Sequence, residues 1–151
     1  MKRLGKINNQ NGAAMVEFAI VLPLLLMLIF GMIEFSVMLY DKAMLTNASR
    51  EGTRLGILFR TDPIPVTGIG SIPDTVDNYL QNNLISLGQP NATWTTSVSG
   101  TCTAAGAGAP ITVTVTYPYD FLVLPNLDIF GYFDFLSDTL TLRATTTMRC
   151  E

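Results

Sequence analysis

Histidine is absent from the 151-residue chain, which removes the side chain most often used as a general base and as a metal ligand. Charge is scarce as well. Asp, Glu, Lys and Arg make up 14% of the residues, and nine basic against twelve acidic side chains leave a net charge of -3. This balance offers no clustered basic face for a phosphate backbone, so nucleic acid is set aside as a partner. Only two cysteines occur, Cys102 and Cys150. They lack the paired spacing of a zinc site, which leaves either one disulfide or two free thiols, the disulfide being favoured. Asp120, Asp128, Asp134 and Asp138 are spread too widely for a calcium loop, which gathers its oxygen ligands within about 12 residues. There is no serine elbow and no cluster of carboxylates. No metal, cofactor or catalytic residue is expected, and an enzyme is the least favoured class.

What the chain holds in excess is one apolar run. Residues 13–40, AAMVEFAIVLPLLLMLIFGMIEFSVMLY, carry only Glu17 and Glu34 as charges. A helix apolar on every side is a membrane span or the centre of a large protein, and a chain of this length is not large. About 20 residues cross the hydrocarbon layer, so the run suffices. Ahead of it, MKRLGKINNQNG is polar, with Lys2, Arg3 and Lys6 and no acid. That is a basic flank of residues 1–12. A cleaved secretory signal would have a shorter apolar core, roughly 7 to 15 residues, followed by a small-x-small site, and EFSVMLYDK is a poor one.

Gly12-Ala13 marks the junction between flank and run, and Glu17 is the fifth residue counted from Ala13. This arrangement resembles the cleavage motif of type IV pilin-like precursors. The stretch GAAMVEFAIVLPLLLMLIFGMIEFSVMLY, followed by LTNASREGTRLG, is similar to the TadE family of pilin-like proteins of tight-adherence pilus systems. The closing ITVTVTYPYDF and TLTLRATTTMRCE are similar too, whereas the middle matches loosely. The resemblance implies a minor pilin or pseudopilin in the bacterial inner membrane. Its partners would be a prepilin peptidase cutting between Gly12 and Ala13, other pilin-like subunits and a pilus assembly platform. A carboxylate costs up to about 2.5–3.5 kcal/mol on insertion scales, the value for the middle of a span, so inside the bilayer edge it is expected to persist where it finds a partner. The new α-amino group of a neighbouring copy is such a partner for Glu17, and the positive end of the helix dipole favours the same charge. The competing reading is an unprocessed single-pass anchor that presents a binding or scaffold domain.

Beyond Tyr40 no strong breaker appears before Asp62-Pro63, so the long helix is assigned to residues 13–60; from Ala13 to about Leu58 it would run roughly 65–70 Å at 1.5 Å per residue. Ala48, Gly52 and Gly56 recur every fourth residue and permit close approach, either of the chain's own sheet, the favoured choice, or of another subunit. Pro23 is either a hinge or a harmless kink. Glu34 lies about 100° around the axis from Glu17, so the two form no common acidic site. Basic residues flank the run on both sides, and charge counting alone does not orient it. The leader motif, the disulfide and the Thr-rich strands place the C-terminal part outside the cytoplasm.

Residues 61–73, rich in Pro and Gly, read as a linker to a head domain at 74–151. DTVDNYLQNNLISL spaces Val76, Tyr79, Leu80, Leu84 and Leu87 as a helix over 74–87, closed by Gly88. Three strands follow by alternation: Trp94, Thr96 and Val98 share a face, then Ile111, Val113, Val115 and Tyr117, then Leu140, Leu142, Ala144, Thr146 and Met148. The apolar segment 118–138 either completes the core or meets a neighbour or the membrane. The expected fold is α+β and pilin-like: a long N-terminal transmembrane helix and a small head of one helix and a roughly three-stranded antiparallel sheet.

Overall fold

A computed structural model describes residues 10–58, 68, 70–85, 93–102, 108–121 and 140–151. The fold is α+β with a pilin-like layout: helix α1 (Gln10–Ile57), helix α2 (Ile72–Asn83), and strands β1 (Thr95–Ser99), β2 (Pro110–Tyr119) and β3 (Leu140–Arg149). The basic flank up to Asn9 and most of the apolar segment after Phe121 lie outside the described residues.

Helix α1 spans 48 residues with Pro23 inside it, about 72 Å at 1.5 Å per residue. It starts at Gln10, three residues before the apolar run that defines it in the sequence. Three of its hydroxyls fold back on the helix alone: Ser36 Oγ donates to the Met32 carbonyl at 2.7 Å, Thr46 Oγ1 to Lys42 at 2.9 Å and Thr53 Oγ1 to Ser49 at 2.6 Å. Each hydroxyl is thereby satisfied without a partner outside the helix.

Helix α2 lies earlier than its periodicity suggests, at Ile72–Asn83 instead of 74–87, so Ser71, Ile72 and Pro73 belong to the helix and its cap and not to the linker. Two local competitions explain the shift. At the start, Ser71 Oγ accepts from Asp74 N at 3.2 Å, and the Asp74 carboxylate accepts from Gly70 N at 2.8 Å. This reciprocal cap satisfies exposed amides, and Pro73 fits a first turn that needs no amide from it. At the end, Leu84 N still donates to the Leu80 carbonyl at 2.8 Å, but the next amide is taken elsewhere. Ile85 N donates to Asp41 Oδ1 of α1 at 3.0 Å, and the helix stops.

The sheet is antiparallel in the order β1-β2-β3. The register sets Val113 opposite Val98 and Thr146, and Tyr117 opposite Leu142. One face of β2, made of Ile111, Val113, Val115, Tyr117 and Tyr119, is buried beneath α1 and α2 together with Leu45, Ala48, Val76 and Leu80. The other face carries hydroxyls in cross-strand rows, with Thr112 bonded to Thr147 at 2.8 Å and Thr114 to Thr145 at 3.1 Å. Strict alternation thus gives one dry and one wet face. On the outer strands the inward face is less complete. Val98 and Leu140, both on it by periodicity, stay exposed. Cys102 and Cys150 form a disulfide with Cα atoms 5.5 Å apart, tying the chain after β1 to the end of β3.

Candidate functional site

Helix α1 divides into two lengths with different surroundings. From Gly12 to Ile33 its side chains are exposed or nearly so, including Phe18, Ile20, Leu24 and Ile33. From Glu34 onward one face disappears beneath the head: Glu34, Asp41, Leu45, Ala48, Ser49, Gly52, Thr53 and Gly56 are buried. These positions recur at spacings of three, four and seven, with the adjacent pairs Ala48/Ser49 and Gly52/Thr53 widening the stripe, as expected of a helix docked along its length.

The small-residue stripe sits inside this contact. A Cβ on Gly52 would lie 2.7 Å from Val76 Cγ2 and 3.2 Å from Ile72 Cγ2, and one on Gly56 would lie 2.7 Å from Ile111 Cδ1 and 2.9 Å from Ile72 Cδ1. Ala48 is fully buried beside them. The glycines bring α1 against α2 and β2 of the same chain.

The residues that resemble a cleavage motif lie at the other extreme. Gly12 has open space around it, and Ala13 and Glu17 are exposed on the first turns of α1. No residue of the head reaches them among the described contacts. A surface of apolar side chains with one carboxylate near its start can insert in a bilayer or pack side by side with like helices.

Polar groups that the sequence pattern did not single out hold the docked half in register. Ser49 Oγ bonds Thr146 Oγ1 at 2.7 Å, and Lys42 Nζ donates to the Arg143 carbonyl. Trp94 Nε1 donates to Asp77 Oδ1 at 2.6 Å, linking β1 to α2. Asp41 is the most constrained of them. It is fully buried; Oδ1 receives the Ile85 amide, while Oδ2 has no hydrogen-bond partner among the described residues. Burial raises its carboxyl above the usual range, opposed in part by the Ile85 amide. Burial, with Glu34 and Asp41 nearby, pushes the Tyr119 phenol up to about 12. Burial, then Asp41 and Asp120, raises that of Tyr117. Asp41 was missed because an acid just past an apolar run reads as a solvated helix face.

Among the described residues no group of three or more His, Cys, Asp or Glu side chains is placed to hold a metal ion. Also among them, α1 alone is long and apolar enough to cross a membrane. Residues 12–54 match the family described as TadE-like protein. No curated protein and no solved structure matches the chain.

Proposed function

We propose that the chain is a pilin-like structural subunit, a minor pilin or pseudopilin of a tight-adherence pilus system, and not an enzyme. It is inserted in the bacterial inner membrane through the first half of α1, with the head on the extracytoplasmic side. A prepilin peptidase removes residues 1–12, and the subunit then takes part with other pilin-like subunits and the assembly platform in building a filament used for surface attachment.

The observation that carries the reading is the division of α1. The half that matches a packing or membrane helix is left bare by the head, and Gly12, Ala13 and Glu17 lie at its free end. The TadE-like match over residues 12–54 covers both this half and most of the docked half. In this role Glu17 neutralises the α-amino group created at Ala13 of an adjacent copy, which offsets the cost of holding a carboxylate at the bilayer edge.

The intact mass of membrane-extracted protein, made with and without a co-expressed prepilin peptidase, tests the processing step. Loss of residues 1–12 is expected, and a mass unchanged by the peptidase removes the proposal. Glu17→Ala is expected to insert normally yet fail to enter filaments. Normal incorporation of that variant would exclude the pairing role of the carboxylate.

A further inference from the structure

The docked half of α1 and the sheet run in step, and this fixes how far the head reaches toward the membrane. Lys42 lies beside Arg143 and Ser49 beside Thr146. Seven helix residues at 1.5 Å and three strand residues at about 3.3 Å both cover about 10 Å, so β3 follows α1 without drift. Three residues before Arg143, Leu140 therefore stands at the level of Phe35. Its partner across the sheet is Tyr119, whose hydroxyl meets the Glu34 carbonyl. Phe121, two residues further, stacks edge-on against Tyr119 with ring centroids 5.4 Å apart.

Below this level α1 is bare. Ala13 to Ile33 covers about 31 Å, which matches a hydrocarbon layer of about 30 Å. Phe35, Leu140 and the Tyr119–Phe121 pair then fall in the interfacial layer just outside it, where aromatic rings are favoured. Leu140 is 40% exposed and Phe35 55% exposed, although both are large and apolar. The two acids of α1 at this end, Glu34 and Asp41, are turned inward and buried. The Lys42 ammonium is held by the Arg143 carbonyl. Asp120 is exposed.

The geometry points to a lipid-facing collar on the head. Phe35, Leu140 and the half-buried Phe121, backed by the buried Tyr119 ring, rest in the interfacial layer of the bilayer around α1, so the head is seated on the lipid surface and not held away from it. This rests on α1 spanning the membrane, as proposed above. The occupant is phospholipid, because the collar is continuous with the bare half of α1 and begins where a bilayer-thick length of that helix ends.

Depth-dependent quenching in vesicles tests it on the full chain. The single tryptophan, Trp94, lies higher in the head and serves as an internal reference. Leu140→Trp, with Phe121→Trp as a second site should the first fail to fold, is compared with the parent chain. Lipids are brominated either near the head end or near the terminus of the acyl chain, and Leu25→Trp marks the middle of the span. Emission added by Leu140→Trp should fall about twofold with the head-end bromines and less with the terminal ones, as an interfacial depth requires. If Leu25→Trp is quenched while both collar variants behave like Trp94, the span stands and the collar is wrong. If Leu25→Trp is not quenched either, the membrane reading has failed beneath it. Collar variants that escape quenching at high protein-to-lipid ratio and are quenched only on dilution into excess lipid would assign the surface to a second copy and overturn the lipid contact.

Discussion

The hydroxyl of Tyr119, at the end of β2, donates to the backbone carbonyl of Glu34 across 3.4 Å, at the point of α1 where burial begins. The bond is long, and the ring does more than the hydroxyl because it fills the lower end of the core. Tyr119→Phe is expected to cost less than about 1 kcal/mol, and Tyr119→Ala about 3 kcal/mol. Thermal unfolding in detergent, followed by Trp94 emission, measures both. Equal losses for the two variants would put the stabilisation in the hydroxyl instead. The phenol at about 12 is raised above its usual value of 10.0, so its contribution is complete below pH 10 and fades as pH passes 12.

Gly52→Ala should destabilise the head although alanine is the better helix former by about 1 kcal/mol. The added methyl meets Val76 Cγ2 at 2.7 Å, and overpacking of this kind costs about 1–3 kcal/mol. The double variant Gly52→Ala with Val76→Ala should therefore be less damaged than the two single losses added together. Simple additivity would mean that α1 and α2 do not meet through this pair.

Asp41 sets a pH dependence whose sign follows from its raised carboxyl. The folded chain holds this proton more tightly than the unfolded chain, so the stability it brings is complete below 3.8, the ordinary value. It is lost as pH rises through the folded value. Asp41→Asn keeps an oxygen for the Ile85 amide and buries no charge. It should melt higher than the parent at pH 7 and lose that advantage in acid. Asp41→Ala strands the amide and should cost about 1–3 kcal/mol. A parent chain that outlasts Asp41→Asn at pH 7 would show that the ionised form has a partner.

Reduction of the Cys102–Cys150 bridge, or Cys150→Ser, releases a loop with a sequence separation of 48 residues, a loss of about 4 kcal/mol in the chain-entropy picture. The head should then unfold at markedly lower temperature with α1 still helical, as circular dichroism and Trp94 emission together would report. Coincident melting with and without reductant would contradict it.

The long helix, the second helix and the three strands were legible because each has an apolar period that matches its geometry. The boundaries were less so. The C-terminus of α2 is decided by Asp41, a residue more than forty positions away, and no local pattern carries that information. Alternation put Leu140 and Val98 on the inward face, but the two strands that flank β2 extend past the cover of α1 and α2, and the sheet's own period cannot say where its roof ends. The Gly12, Ala13 and Glu17 cluster was visible as a motif; its position on the bare end of α1 required the docked head to be seen. Ser49, Thr53 and Ser71 are small hydroxyls whose burial depends on partners in other elements.

A head clamped along one side of a helical shaft from Glu34 to Gly56 behaves as a vane. In any bundle of parallel copies, neighbours at that height can approach only from the uncovered flank, whereas lower down every direction is open. The angular setting of the vane therefore limits the screw sense and spacing of such a bundle, even though none of its residues belongs to the apolar stem.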